Sequence, residues 1–308
     1  MYKYILKRLL TLIPVILGVV LIIFLIMDLT PGDPARMVLG NMASEEALDA
    51  FREEQGLNDP LLVRYVRYVL DLCRGDLGNS YKTNRSVMTE LMDRFPATIQ
   101  LAVASIFFAL VVSVPIGIVS AVKQNSVFDN VGMVVALLGI AMPAFWLGLI
   151  LIIAFSLNLN WLPSGGYGTW QNLILPAFTA GAACAANIAR ITRSSMLEII
   201  RQDYMRTARA KGVSKTKVVL HHGMKNCWIP VITVAGLQFG TLLGGIVIIE
   251  NVFAWPGVGN FLLTSITSKD TPCVLGSIVL FTVVFSIVNL IVDIIYAFVD
   301  PRIKAQYK

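Results

Sequence analysis

The 308-residue chain is 56% hydrophobic and 14% charged, with a mean hydropathy of +0.73. Soluble domains carry roughly 25% charged residues, so this composition excludes an ordinary water-soluble globule and indicates a polytopic membrane protein. The net charge of +6 is accounted for by membrane topology and gives no reason to expect nucleic-acid binding.

Six stretches lack Asp, Glu, Lys and Arg: Leu9–Met27, Ala97–Val122, Val131–Leu157, Leu173–Ala189, Cys227–Ile249 and Thr271–Val292. Apolar runs of about 18 residues span a hydrocarbon core roughly 30 Å thick, which predicts six transmembrane helices. The fourth extends into Ile191 and takes Arg190 with it. Lys3, Lys7 and Arg8 precede the first run, as in a secretory signal. That run exceeds the ~7–15 residues of a signal core, and no small-residue cleavage site follows it, so it reads as an anchored helix.

Between the first two spans, residues 28–94 hold twelve acids and eight bases. Turns are marked by Pro31-Gly32-Asp33-Pro34, Asn58-Asp59-Pro60 and Gly75-Asp76-Leu77-Gly78. Leu61, Tyr65, Tyr68 and Leu72 recur at helical spacing, which predicts two or three short helices packed on the membrane rim. Asn158–Asn172, uncharged and rich in Trp, Tyr, Gly and Pro, reads as a turn along the membrane surface. Asn251–Thr271 contains a sharp turn at Trp255-Pro256-Gly257-Val258-Gly259 and then Phe261-Leu262-Leu263, a half-helix near an outer gate. Trp255, Pro256, Gly257 and Gly259 are the expected external contact residues, although interface anchoring alone also explains the aromatics.

Arg190–Asn226 is the most basic segment, with nine Lys/Arg against Glu198 and Asp203. Leu197, Ile200, Tyr204 and Ala208 give one apolar helical stripe. Gly212 follows a basic last turn, as a left-handed residue just past a helix end does. Ser214 is placed to cap a second short helix through Val218, Val219 and Leu220. With the N- and C-termini in the cytoplasm, this island lies there too. On charge and periodicity alone, a helix lying on anionic lipid fits equally well.

The chemical inventory is otherwise sparse. The histidines, His221 and His222, are adjacent and diverge on a helix, so they make a poor ligand pair. There is no zinc-type Cys/His spacing, no phosphate-binding Gly-x-x-x-x-Gly-Lys-Ser/Thr, and no His to activate Ser194 or Ser195. Cys73 and Cys273 would lie on the same side, without a geometric argument for pairing. No metal site and no catalytic residue is expected. An ion-coupled secondary transporter or an intramembrane enzyme would need coupling-ion sites or a nucleophile–base constellation, and neither is evident.

The basic island resembles the cytoplasmic EAA loop of binding-protein-dependent ABC-importer permeases of the dipeptide/oligopeptide/nickel family. Arg206-Thr207-Ala208 followed by Arg209-Ala210-Lys211 and Gly212 occupies the Glu-Ala-Ala-x-x-x-Gly pattern, with Arg in place of the Glu. Leu29-Thr30-Pro31-Gly32-Asp33-Pro34, Gly75–Ser80, Arg94-Phe95-Pro96-Ala97-Thr98, Gly244-Gly245, Glu250–Gly259 and Asp300-Pro301-Arg302 are similar to family signatures in the family's order. The resemblance implies an all-α, type I importer permease fold in the plasma (inner) membrane of a prokaryote. It comprises an N-terminal transmembrane helix (1–28), a small external helical cap (29–95) and a permease core (96–308) whose coupling loop is 190–226.

It also implies a second homologous permease, two cytoplasmic ATPases that bind ATP and Mg, and an external solute-binding protein. Tyr204, Arg206, Thr207, Ala208, Arg209, Ala210, Lys211 and Gly212 would then couple to the ATPases, and transport would proceed by alternating access. Asn187, Thr233, Gln238, Thr241 and Glu250 are the polar residues expected along the path, with Asp293 near a span end. Short peptides, di- or oligopeptide or glutathione-like, are the expected substrate. Nickel or a metal chelate is the alternative, and the lack of histidine in the spans weighs against a bare metal ion.

Overall fold

The computed structural model describes residues 2–40 and 42–299, so the Asp300-Pro301-Arg302 motif lies outside the described residues. Thirteen α-helices and two π-helical segments make up the ordered elements among them. Two compact units are resolved, Met1–Thr98 with Pro256–Ile287, and Ile99–Trp255 with Val288–Lys308.

The first unit opens with α1 (Tyr2–Leu29), followed by three short helices, α2 (Pro34–Leu39), α3 (Glu45–Glu54) and α4 (Leu61–Cys73). Local chemistry sets their ends. Asp33 caps α2 by accepting from the Ala35 N–H at 3.1 Å, with Pro34 in the first helical position. Ser44 caps α3, whose first turn carries Glu45 and Glu46, favourable at the positive end of the helix dipole. Tyr65, Tyr68 and Leu72 of α4 pack against Val20 and Phe24 of α1 and against Leu275 and Val279. The sequence periodicity thus marks a real packing face.

The remaining parts of this unit are the start of α5 (Val87–Val122), α12 (Val258–Thr267) and the start of α13 (Thr271–Val299). The α5 helix begins ten residues before the expected span, so the expected 95/96 boundary falls inside a continuous helix. Its first turns bury one carboxylate: Glu90 is 2% exposed and binds Arg85 and Arg94. The turn between α12 and α13 is clasped on two sides. Buried Lys269 donates from Nζ to the carbonyls of Thr30 (2.5 Å) and Gly32 (2.7 Å). Buried Asp270 accepts from Ser80 Oγ (2.5 Å) and from the Tyr81 N–H (3.1 Å). Burial pushes the Tyr81 phenol up to about 12. Two of the signature segments therefore serve as sockets for one Lys-Asp pair.

In the second unit the expected third span is not a single rod. It consists of α6 (Val127–Ala141), α7 (Ala144–Leu151) and a π-helical extension, Ile152–Asn158, bent by 107° at Met142-Pro143. Proline has no N–H to continue the ladder and drives its predecessor into extended geometry, as seen at Met142 (φ −79, ψ 128). Among the described residues five continuous helices are long and apolar enough to cross a membrane, six with this bent pair counted as one span.

The hub is α8 (Trp170–Ile200), which packs on α6, α7 and α11 (Met224–Val252). Within its most apolar window 61% of residues are buried, against 11% for α1. Small residues permit this: Ala177, Ala180, Gly181, Ala186 and Ala189 all lie in its buried face. The helix runs to Ile200, eleven residues beyond the expected apolar run, so the first third of the basic island is the end of a span.

Candidate functional site

The cytoplasmic-side element is built on the end of α8. Arg193 reaches Asp129 with two parallel bonds, Nε to Oδ1 at 2.6 Å and a terminal nitrogen to Oδ2 at 2.7 Å. Asp129 is 1% exposed and also accepts from the Asn125 N–H at 3.0 Å. A bidentate pair of this kind fixes orientation as well as distance. It ties the α5–α6 turn to α8 just before the chain leaves the span. Arg190 is exposed and approaches Asn187 Oδ1 at 3.4 Å.

After a break at Arg201-Gln202, α9 (Asp203–Ala210) forms a separate short helix. The expected single stripe through Leu197, Ile200, Tyr204 and Ala208 is therefore split between two helices, and Tyr204 is 41% exposed. The anchor is Met205, fully buried, whose terminal carbon lies with Met196 sulfur beside Gly223. Tyr204 is held at its tip, where its hydroxyl accepts from Asn226 Nδ2 at 2.9 Å. Arg206, Thr207, Arg209 and Ala210 remain exposed and Ala208 is half-buried.

The end of α9 is closed by paired reverse bonds, Gly212 N–H to the Arg209 carbonyl (3.0 Å) and Val213 N–H to the Ala208 carbonyl (3.3 Å). This is the Schellman arrangement, and it requires the left-handed conformation found at Gly212, φ +78. The expected second short helix does not stand alone. After α10 (Lys215–Lys217), a π-helical turn, Val218–Gly223, leads directly into α11. Val218 is buried, and His221 and His222 stack edge to face within that turn. Ser214 makes no side-chain cap.

The residues expected along the path are scattered in environment. Asn187 lies on α8 and the other four on α11. Thr233 and Thr241 satisfy their hydroxyls on the carbonyls of Ile229 and Gln238 of their own helix, both at 2.9 Å. Gln238 is half-buried, facing Cys184. Glu250, at 0% exposure, is enclosed by the protein and does not line an open path. Thr241, Gly244 and Gly245 leave α11 uncovered on one side.

The outer turn also differs from expectation. Trp255, Gly257 and Gly259 are buried, leaving Pro256 as the exposed member of the four. For Trp255 the cause is the Asn158–Asn172 loop. Gly166 N–H donates to the Phe253 carbonyl at 2.9 Å, and the Tyr167 ring packs edge-on to Trp255 at 4.9 Å. A Cβ at Gly165 would collide with that same carbonyl, so only glycine admits the approach. Cys73 is exposed and Cys273 buried, both as free thiols. Among the described residues no group of three His, Cys, Asp or Glu side chains could hold a metal ion.

Sequence reasoning missed three determinants: Met205, the Asp129–Arg193 pair and the Lys269-Asp270 sockets. Met205 and Ala208 are three apart and both face inward, a signal obscured by the neighbouring Tyr204. These contacts join residues 64, 190 and 237 to 239 positions apart, and no local pattern announces such distant partners.

Comparison with known proteins gives consistent results. A family model described as "Binding-protein-dependent transport system inner membrane component" matches residues 113–305. A second, "Binding-prot-dependent transport system membrane comp, N-term", matches residues 1–102. The chain is 46% identical over 304 residues to the glutathione transport system permease protein GsiC of Salmonella paratyphi A (strain ATCC 9150 / SARB42), covering 99% of each. It is 44% identical to GsiC of Escherichia coli (strain K12), again over 99% of each. Among solved structures, a chain of the inward-facing MetNI methionine ABC transporter (CY5 SeMet soak crystal form) superposes with a TM-score of 0.58. The identity is 18%, over 69% of this chain and 97% of that one. At this identity the likeness concerns the fold alone.

Proposed function

Because the chain belongs to the inner-membrane components of binding-protein-dependent transport systems, we propose that it is a permease subunit of an ATP-driven importer for glutathione-like short peptides. It is a bacterial inner-membrane protein, and it works without catalytic chemistry of its own. A second permease completes the path, two cytoplasmic ATPases bind ATP and Mg, and an external binding protein delivers the peptide. The peptide class is supported by the glutathione permeases that the chain resembles over nearly its full length.

The observation that carries the coupling role is α9. An eight-residue helix with Arg206, Thr207, Arg209 and Ala210 exposed is fixed from beneath by Met205, at its tip by Asn226, and at its end by Gly212. We assign Tyr204 and Arg206 through Gly212 to ATPase contact. A helix anchored at three points transmits displacement to α8 and α11 instead of absorbing it. Asn187, Thr233, Gln238 and Thr241 are the path residues in this reading. Glu250 supports the outer turn from within, and Pro256 is what that turn offers to the binding protein.

Gly212→Val tests this directly. Nothing lies within 4 Å of the added Cβ, so the effect is backbone strain, about 1–2 kcal/mol for a left-handed residue. Ala208→Glu instead places a charge on the contact face. Both variants should insert and keep their permease partner, yet lose peptide-stimulated ATP hydrolysis and uptake. ATPase copurification should fall most for Ala208→Glu. Normal coupling in both variants would reduce α9 to a surface helix on lipid.

A further inference from the structure

α4 has two apolar faces, and the fold uses only one. At about 100° per residue, Leu61, Tyr65, Tyr68 and Leu72 fall within roughly 60° of arc, the side that packs on α1 and α13. Leu62, Val63, Val66, Leu70 and Cys73 fall within a second arc of roughly 100°, joined to the first on one side by half-buried Val69. All five are exposed, with Leu62 at 68%, Val66 at 52% and Leu70 at 55%. Between the two arcs runs a narrow polar strip of Arg64, Arg67, Asp71 and Arg74. Arg64 pairs with Asp28 at 3.0 Å, Arg67 with Asp59 at 2.7 Å and Arg74 with Asp71 at 3.7 Å.

The depth of α4 is set by its neighbour. The rings of Tyr65 and Tyr68 meet Phe24 at centroid distances of 6.0 and 5.7 Å, and Tyr65 donates to the Leu17 carbonyl at 3.2 Å. Phe24 lies five residues inside the outer end of α1, about 7 Å along the axis. Arg64 meanwhile meets Asp28 at that end. The tyrosine face of α4 therefore packs between the middle of α1, at Leu17, and its outer end, along a span that is itself barely covered by protein.

We propose that α4 is an in-plane helix seated in the outer leaflet, with its Leu62–Val66–Leu70 side in the acyl chains and its arginine strip at headgroup level. Three observations agree on lipid as the occupant. The apolar arc is too continuous for a face in water. It lies at the depth of the apolar span. The polar strip, with its long arginines, occupies the one side left for the headgroup and water. The inference depends on the membrane topology and is independent of the coupling role of α9.

Site-directed spin labelling tests it on the chain purified from native membranes with its accompanying subunits and reconstituted in phospholipid nanodiscs. Cys73→Ser removes the exposed thiol, and the other three cysteines are buried. Nitroxides are then placed singly through Leu62→Cys, Val66→Cys, Leu70→Cys and Arg67→Cys. We expect oxygen to collide more often than a water-soluble nickel chelate at 62, 66 and 70, with the order reversed at 67. A nickel-favoured signal at 62, 66 and 70 would place this face in water and overturn the proposal. Low accessibility to both reagents there would overturn it in favour of a protein cover. Repeating the measurement with and without the binding protein would separate that partner from the second permease.

Discussion

Asp33 holds three connections at once. It caps α2, accepts from Arg52 of α3 at 2.5 Å, and follows the Gly32 carbonyl that holds Lys269. The Arg52 hydrogen bond is the largest influence holding its carboxyl below the ordinary value of 3.8, with burial working against it. A carboxyl depressed in the folded state contributes stability above its ordinary pKa and loses it as pH falls through the depressed value. Arg52→Gln removes the main cause, so the variant should be less stable than the parent chain near neutral pH, with the difference closing as pH falls below about 4. Melting curves in detergent between pH 3 and 7 would show the two chains converging at the acid end. A constant difference across that range, or none at all, would mean that the ion pair contributes nothing through Asp33.

Among the elements, α9 is held by one fully buried side chain, one tip hydrogen bond and its C-terminal closure. Met205 is its fully buried side chain, and methionine-to-alanine substitutions in packed sites cost roughly 2–5 kcal/mol. A surface helix can settle into part of the space, so about 2 kcal/mol is expected for Met205→Ala, raising local opening roughly thirtyfold. Arg206 and Arg209 are then exposed to trypsin more often. Cleavage in inside-out vesicles should accelerate while the spans stay intact. An unchanged rate would show that the Tyr204–Asn226 bond and the Gly212 closure hold α9 without Met205. The bend at Met142-Pro143 belongs to the same scale, since one residue without an N–H divides a stretch whose hydropathy reads as a single span.

For the whole molecule, energy supply separates the proposed importer from an ion-coupled carrier. Reconstituted with its partner subunits and binding protein, the chain should support glutathione uptake that stops when ATP is withdrawn and persists without an ion gradient. By itself it should move no peptide. Gradient-driven uptake by the isolated chain would contradict the assignment. Flux of labelled glutathione into proteoliposomes measures each case. Movement of this kind fits a chain in which α8 is enclosed by neighbours while α1 and one side of α11 are left uncovered for lipid and partner subunits.

The sequence by itself determined the class, the number of apolar segments, the α4 packing face and the left-handed glycine after α9. These depend on burial tendency, helical period and steric freedom, which act over a few residues. Tertiary structure decided where α8 ends, because packing against α6, α7 and α11 carries a helix past its apolar run and into Arg193. It decided that Glu250 is enclosed, and that Trp255 is, because the Gly165–Tyr167 loop closes over Phe253 and Trp255. It assigned the signature residues near Thr30–Gly32 and Ser80 to the Lys269-Asp270 sockets. These two charges meet their distant partners only after folding, since a buried charge persists only where bonding groups converge on it, and that convergence is a property of the assembled helices.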